Sequence, residues 1–115
     1  SPPVIAASLA AINYLDKHPE LITQLQDNLK FLKEGLSDLG YNLLEGASAI
    51  IPIMVGSEQR ALKLSNQLLA HGVLAPAIRP PTVPQGTSRL RITVMANHSR
   101  KDLKEVLAAF AAVKS

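Results

Sequence analysis

The sequence predicts an α+β fold in which helices cover one face of a small, mainly antiparallel sheet. Segments with apolar residues at three- and four-residue spacing predict helices, and short apolar or alternating segments between them predict strands. Their order along the chain is α-α-β-β-α-β-β-α. A chain of 115 residues, 47% of them hydrophobic, is long enough to enclose one core, so we expect a single domain.

Two helices are predicted at the start, over residues 4–17 and 19–39. Pro19 suits the first turn of the second helix, and Gly40 suits the position just after its end. The apolar residues of this helix alternate spacings of three and four, and they are Ile22, Leu25, Leu29, Leu32, Leu36 and Leu39. Such a stripe indicates a coiled-coil seam or a helix lying on a sheet. It is shorter than the roughly three to four heptads typical of a coiled coil, which favours packing on the sheet.

Two strands are predicted next, over residues 41–44 and 50–55, with Gly56 ending the second. The second strand is almost continuously apolar but contains Pro52, which has no backbone N–H to donate. We therefore expect this strand to lie at a sheet edge or to carry a bulge at the proline.

A third helix is predicted over residues 58–70. Ser57 suits the N-cap position, where its hydroxyl accepts a hydrogen bond from a backbone N–H of the first turn. Glu58 places a negative charge at the positive end of the helix dipole. Gly72 suits the end of the helix.

The remaining strands are predicted over residues 73–78 and 89–95, on either side of a proline-rich loop at 80–86. A last helix follows, because Ser99 and Asp102 resemble a capping box with Asp in place of Glu. We expect this helix to bury the apolar side chains of Leu103, Val106, Leu107 and Phe110.

The composition argues against several classes of function. Without cysteine there is no disulfide, thiolate nucleophile or cysteine-ligated zinc, and the three histidines stand far apart in the sequence, so no metal site is expected. A net charge of +3 with scattered basic residues and only 3% aromatic residues argues against nucleic-acid binding. No apolar run approaches the roughly 18 residues of a membrane span, so no membrane association is expected. The lack of cysteine is consistent with a cytoplasmic protein.

The strand at residues 89–95 carries the first candidate binding residues. Leu90 and Ile92 alternate with Arg89, Arg91 and Thr93, so one face is apolar and the other presents two guanidinium groups and a hydroxyl. An arginine can hold a carboxylate through two parallel hydrogen bonds. A strand with one solvated face has the same pattern, and periodicity alone leaves both interpretations open.

The loop before that strand carries the second pair of candidates, Arg79 and Thr82. Its prolines fix several backbone torsions, and Arg79 is biased to an extended conformation because it precedes Pro80. A stiff platform lowers the ordering cost of binding a ligand. A rigid surface turn without a ligand fits the same residues equally well.

A specific resemblance rests on four segments of the chain: 48–56 (SAIIPIMVG), 77–84 (AIRPPTVP), 89–93 (RLRIT) and 96–98 (ANH). They resemble the C-terminal part of 8-amino-7-oxononanoate synthases, which belong to the α-oxoamine synthase family of pyridoxal-phosphate enzymes. The first residues (SPP) are similar to the junction that follows the large domain in that family. The resemblance covers nearly the whole chain, and its AIRPPTVP string is its most specific part.

The resemblance implies an aminotransferase-like fold of type I, a homodimer, and pyridoxal 5'-phosphate as the cofactor. It implies condensation of L-alanine with pimeloyl-CoA or pimeloyl-acyl carrier protein, with loss of carbon dioxide, in biotin biosynthesis. In this picture Arg91 binds the alanine carboxylate, and Arg79 and Thr82 lie near the pimeloyl chain, with Arg79 able to pair with its distal carboxylate. Arg89 is expected to be a flanking structural charge, and His98 a structural residue at the strand end.

The resemblance also implies that the whole chain, 1–115, is a C-terminal small domain. Residues 1–40 would form a helical lead-in from a large domain, and residues 41–115 the sheet-and-helix core. In the family the cofactor lysine, the ring-stacking histidine and the aspartate at the pyridine nitrogen all lie upstream. We therefore expect no catalytic, cofactor-binding or metal-binding residue in this chain, and we expect the isolated chain to be inactive.

Three alternatives remain. In the first, the chain derives from another α-oxoamine synthase, such as one resembling glycine C-acetyltransferase. A free-standing module could use the arginine face to bind a carboxylate metabolite without catalysis. A helical interaction domain could instead be built on the apolar stripe of residues 22–39.

Overall fold

The computed structural model describes residues 18–46 and 49–114, so the helix predicted over residues 4–17 lies outside the described residues. The elements, numbered here in chain order, are α1 (Pro19–Asp38), β1 (Asn42–Leu43), β2 (Ile50–Gly56), α2 (Glu58–Ala70), β3 (Ala77–Ile78), β4 (Ser88–Thr93) and α3 (Arg100–Val113). Their order matches the predicted order from the second helix onward.

The four strands form one antiparallel sheet with the order β1-β2-β4-β3. In the central pair, Ile51 lies opposite Ile92 and Ile53 lies opposite Leu90. All four of these side chains are buried beneath the helices. The predicted α+β fold, with helices over one face of an antiparallel sheet, is confirmed.

The apolar stripe of α1 packs into this core. Leu32 and Leu36 are fully buried, whereas Ile22 at the start of the helix is exposed. The remaining members of the stripe, Leu25, Leu29 and Leu39, are partly buried against the core. The stripe therefore packs α1 into the core of the domain, mainly against α3 and the edge strand β1 rather than on the centre of the sheet.

The expectation of an edge strand at Pro52 is wrong, because β2 lies between β1 and β4. The Leu44 N–H donates to the Pro52 carbonyl at 2.9 Å, so the Pro52 nitrogen also faces β1. Because β1 ends at Leu43, the missing N–H of Pro52 falls just beyond that strand. The irregularity in the β2–β4 register occurs between Met54 and Gly56 rather than at the proline.

Two other predicted details need correction. The strand expected over residues 73–78 is only the two-residue β3, because Pro76 has no N–H and can contribute only its carbonyl, which accepts from the Arg91 N–H at 3.0 Å. On α3, Leu103 and Phe110 are buried as predicted, but Val106 and Leu107 are only partly buried. The other buried residues of this helix are Ala109 and Val113.

The predicted helix caps are present. Ser57 Oγ accepts a hydrogen bond from the Arg60 N–H at 3.1 Å at the start of α2. At the start of α3, Ser99 Oγ accepts from the Asp102 N–H at 3.1 Å, and the Asp102 carboxylate accepts from the Ser99 N–H at 2.9 Å. The backbone and side-chain hydrogen bonds with Ser99 hold the pKa of Asp102 below its ordinary value.

A buried amide holds the turn between β4 and α3. Asn28 of α1 donates from Nδ2 to the carbonyls of Met95 (2.9 Å), Ala96 (3.3 Å) and His98 (3.1 Å). Within the turn, the Met95 N–H donates to His98 Nδ1 at 3.1 Å. The Met95–His98 hydrogen bond gives His98 a local structural role, and the hydrogen bonds of Asn28 tie α1 to the end of β4.

Within residues 18–46 and 49–114, no helix combines the length and apolarity needed to cross a lipid bilayer. The same residues contain no group of three or more His, Cys, Asp or Glu side chains that could hold a metal ion.

Candidate functional site

The face of the sheet opposite the helices presents the polar side chains of β4. Arg91 lies across from Pro52 of β2, and Arg89 lies across from Met54. Arg91 is exposed, whereas its neighbours Leu90 and Ile92 on the same strand are buried on the helix side. The predicted alternation of this strand is therefore present, and it aims the guanidinium groups away from the core.

The two arginines of β4 differ in their partners. Arg89 is partly buried, and its Nε donates to the Thr87 carbonyl at 3.0 Å. The guanidinium of Arg91 makes no hydrogen bond or ion pair with any residue that the structure describes, while its backbone N–H is held by Pro76. No residue within 18–46 and 49–114 therefore occupies the donors of the Arg91 fork, which could hold a ligand carboxylate, and the strand beneath it is anchored.

No carboxylate on the neighbouring strands neutralises Arg91. The adjacent β2 (IIPIMVG) and β3 (AI) contain no acidic residue, and Arg89 adds a second positive charge on the same face. A patch of one sign raises the local concentration of ligands of the opposite sign. The open face around Arg91 is thus suited to an anion that also has an apolar part, because Pro52 and Met54 lie beside it.

Arg79 lies just after β3 and is already paired. Its Nη1 donates to Glu58 Oε2 at 3.1 Å, and the two side chains are 44% and 47% exposed. The Thr82 N–H donates to the Arg79 carbonyl at 3.0 Å, which closes a turn at the start of the proline-rich loop. The side chain of Thr82 is exposed and makes no hydrogen bond with a described residue.

The structure does not bring Arg79 and Arg91 together. Ile78 pairs with Arg89, so the same register continued by one residue sets Arg79 beside Ser88 at the start of β4. That position is three residues from Arg91, or about 10 Å at ~3.3 Å per residue. Arg79 also leans toward α2, on the helix side of the sheet, whereas Arg91 lies on the open side. A ligand touching both would have to span the sheet edge.

A cleft of about 500 Å³ opens elsewhere, between β1, α2 and the end of α3. Arg60, Lys63 and Lys114 are among the residues that line it. None of the predicted binding residues lines the cleft, although Met54, which lies opposite Arg89, does.

Glu58 and Asn28 are two of the described polar residues whose long-range contacts the sequence did not reveal. Glu58 was assigned only a helix-dipole role, and its contact with Arg79 spans 21 residues of chain. In sequence Asn28 resembles an exposed helix residue. No local pattern indicates that its amide is buried and donates to carbonyls 67 to 70 residues away.

The described residues do not fit a site for pyridoxal phosphate. A lysine that forms an imine with this cofactor needs an environment that favours its neutral amine. The lysines that the structure describes are all exposed, and they are Lys30, Lys33, Lys63, Lys101, Lys104 and Lys114. No described lysine belongs to β4 or its partner strands, so the open face holds no such amine.

Comparison with known proteins identifies relatives over nearly the whole chain. The family described as aminotransferase class I and II matches residues 1–110. A putative 8-amino-7-oxononanoate synthase from Desulfovibrio desulfuricans is 48% identical over 103 residues, and an 8-amino-7-oxononanoate synthase from Symbiobacterium thermophilum is 45% identical over 112 residues. These matches cover 90% and 97% of this chain but only 27% and 29% of the relatives' lengths.

Solved structures agree with the fold. Serine palmitoyltransferase from Sphingomonas wittichii superposes with a TM-score of 0.78 at 32% identity, over 95% of this chain and 30% of its own. A structure described as SPT with a pyridoxal phosphate internal aldimine gives a TM-score of 0.81 at 30% identity, with the same coverage. An 8-amino-7-oxononanoate synthase from Francisella tularensis shares the fold at 20% identity, with a TM-score of 0.71 over 90% of this chain and 30% of its own.

The exposed arginine face of β4, the AIRPPTVP segment at residues 77–84 and these matches all point to one family. The resemblance to 8-amino-7-oxononanoate synthases is confirmed by relatives of that name at 39–48% identity. Solved structures of the same fold include a pyridoxal-phosphate enzyme, and the chain belongs to the class I and II aminotransferase family.

Proposed function

We propose that this chain supplies the substrate-carboxylate-binding part of an 8-amino-7-oxononanoate synthase. Such an enzyme condenses L-alanine with a pimeloyl thioester and releases carbon dioxide. The observation that carries the proposal is the guanidinium of Arg91, which no described residue binds, on the face of β4 opposite the helices and beside strands that contain no acidic residue. The names of the relatives support the choice of reaction.

Arg91 is proposed to bind the α-carboxylate of alanine. Two parallel hydrogen bonds from one guanidinium fix the plane of a carboxylate, and so they restrict the orientation of the α-carbon attached to it. Pairing of the Arg91 N–H with the Pro76 carbonyl keeps the strand in place while the side chain reaches the ligand. Pyridoxal phosphate would be held by the remainder of a longer protein, and no step through it is assigned to residues of this chain.

Arg79 and Thr82 are proposed to serve the acyl substrate. Arg79 would pair with the distal carboxylate of the pimeloyl group, and Thr82 would offer its exposed hydroxyl nearby. The separation of Arg79 from Arg91 supports two binding positions rather than one, because Arg79 lies on the helix side of the sheet and Arg91 on the opposite face.

The complete protein is proposed to be a homodimer that uses either the CoA or the acyl carrier protein thioester. The 115-residue chain alone is not expected to turn over, because the described residues do not form a cofactor site. Incubating the purified chain with pyridoxal phosphate, alanine and pimeloyl-CoA tests this, and formation of 8-amino-7-oxononanoate would contradict it.

The test of Arg91 uses a full-length protein that contains this chain, with Arg91→Lys. Lysine keeps the charge but cannot form the two-point fork. A charged hydrogen bond contributes roughly 1.5–3 kcal/mol, so we expect kcat/KM for alanine to fall by about 10- to 100-fold.

Arg89→Lys is the matched control, because Arg89 is bound to the Thr87 carbonyl rather than free, and its effect on alanine should be within about twofold. An unchanged kcat/KM for alanine in Arg91→Lys would refute the assignment of Arg91.

A related acyl transfer with another amino acid is the second candidate, favoured by the structural match to serine palmitoyltransferases. The curated relatives named 8-amino-7-oxononanoate synthase, at 39–48% identity over nearly the whole chain, support alanine as the amino acid, although the solved structure of that name is only 20% identical. Comparing alanine, serine and glycine at equal concentration with pimeloyl-CoA decides between them, and a preference for serine or glycine would favour this second candidate.

A further inference from the structure

The ion pair between Glu58 and Arg79 joins two parts of the chain that have fixed backbones. Glu58 is the first residue of α2, where Ser57 Oγ caps the helix by accepting from the Arg60 N–H at 3.1 Å. Arg79 begins the turn closed by the Thr82 N–H at 3.0 Å. The contact between their side chains, from Nη1 to Oε2 at 3.1 Å, therefore sets the direction of the Arg79 guanidinium relative to both the helix and the loop.

The geometry of this contact leaves half of the arginine free. A guanidinium can hold a carboxylate along the edge formed by Nε and Nη2, and Glu58 uses only the opposite nitrogen, Nη1. No other described residue accepts a hydrogen bond from Arg79. A second carboxylate can therefore bind the Nε–Nη2 edge without displacing Glu58.

We propose that Glu58 is a positioning residue that makes this site selective for acyl substrates with a distal carboxylate. It holds Arg79 by Nη1 and presents the Nε–Nη2 edge to the second carboxylate of a dicarboxylic thioester. The inference rests on the proposed role of Arg79 and extends it to a residue that does not touch the substrate.

The size of the effect follows from the exposure of the pair. Both side chains are nearly half exposed, so solvent screens their attraction and the contact contributes little to overall stability. The ion pair contributes to selectivity by keeping the flexible Arg79 side chain in one orientation. We expect this to raise the affinity for a distal carboxylate by about three- to fivefold. Glutamine can still accept the hydrogen bond from Nη1, whereas alanine cannot.

The test compares pimeloyl thioester with heptanoyl thioester, which has the same chain length but no distal carboxylate. In a full-length protein containing this chain, the ratio of kcat/KM for the two thioesters is measured for the unchanged protein, Glu58→Ala, Glu58→Gln, Arg79→Ala and the double variant Arg79→Ala/Glu58→Ala. We expect Glu58→Ala to lower the ratio by about three- to fivefold and Glu58→Gln to restore most of it. The KM for alanine should stay unchanged, and Glu58→Ala should have no further effect on the ratio in the Arg79→Ala background.

Glu105→Ala, which removes an exposed carboxylate from α3, is the matched control and should leave the ratio unchanged. A ratio in Glu58→Ala equal to that of the unchanged protein would overturn the positioning role while leaving the role of Arg79 intact. So would an equal loss in the presence and absence of Arg79. If Arg79→Ala itself leaves the ratio unchanged, the assignment of Arg79 to the distal carboxylate fails, and the positioning role of Glu58 fails with it.

Discussion

Replacing Asn28 should destabilise the domain far more than replacing an exposed polar residue of a helix would. The side chain is only 9% exposed, and its amide nitrogen faces the carbonyls of Met95, Ala96 and His98 at 2.9–3.3 Å. Asn28→Ala removes both amide hydrogens and leaves these acceptors with fewer partners. At about 1–3 kcal/mol for a buried group left unsatisfied, we expect a loss of about 2–3 kcal/mol in the free energy of unfolding.

Asn28→Asp is the sharper perturbation, because it keeps the shape of the side chain. It replaces the donor with a carboxylate oxygen that faces three carbonyl oxygens, so attraction becomes repulsion and a charge is buried without a partner. We expect it to cost more than Asn28→Ala.

Urea unfolding of the 115-residue chain, followed by circular dichroism, measures both variants, with Asn66→Asp on the exposed side of α2 as the control. The control should change stability by less than about 0.5 kcal/mol. If Asn28→Asp unfolds at the same urea concentration as the control, the amide does not hold the turn and the reasoning fails.

Two further predictions concern the helices. Gly35→Ala should destabilise the chain by at most about 2 kcal/mol, because contact of the added Cβ with the Leu107 side chain costs ~1–3 kcal/mol, whereas alanine in place of glycine inside α1 contributes ~1 kcal/mol of stability. Urea unfolding should show that Leu107→Ala, made in addition, removes most of the extra cost; a more stable Gly35→Ala variant would contradict the close packing of α1 on α3. Asp102→Asn should destabilise the chain at neutral pH, and the difference should shrink as pH falls below the ordinary Asp pKa of 3.8, because the folded-state pKa of Asp102 is lowered and its contribution is lost on protonation. Thermal unfolding from pH 7 to pH 2 checks this, and a difference independent of pH would refute it.

The parts of the fold that could be predicted depend on local patterns. Ser57 and Ser99 were identified as caps because a cap needs only its own residue and the N–H groups two or three positions later. The burial of Leu32 and Leu36 followed from the helical period. Pro52 was misplaced because sequence shows that it lacks a donor but not how far the neighbouring strand extends alongside it.

In the candidate site, too, local patterns predicted some properties and tertiary contacts decided others. The exposure of Arg91 followed from the two-residue period of a strand, since Leu90 and Ile92 had to face the core. Periodicity alone did not distinguish Arg89 from Arg91; the family resemblance led us to expect a structural role for Arg89, and the structure shows its contact, the Thr87 carbonyl. Both arginines lie on the same face of β4, and only the structure shows that Arg89 is bound to a described residue whereas Arg91 is not.

By itself the sequence determined the class of fold, the kinds of element, the direction in which the β4 arginines point and, through its AIRPPTVP string, the family. These properties depend on neighbours within a few residues or on a string that can be recognised directly. The tertiary structure alone decided the strand order β1-β2-β4-β3, the reach of Asn28 to the turn after β4, and the pairing of Arg79 with Glu58. The contacts of Asn28 and Arg79 join residues 21 to 70 positions apart, and they exist because packing of the helices on the sheet brings those positions together.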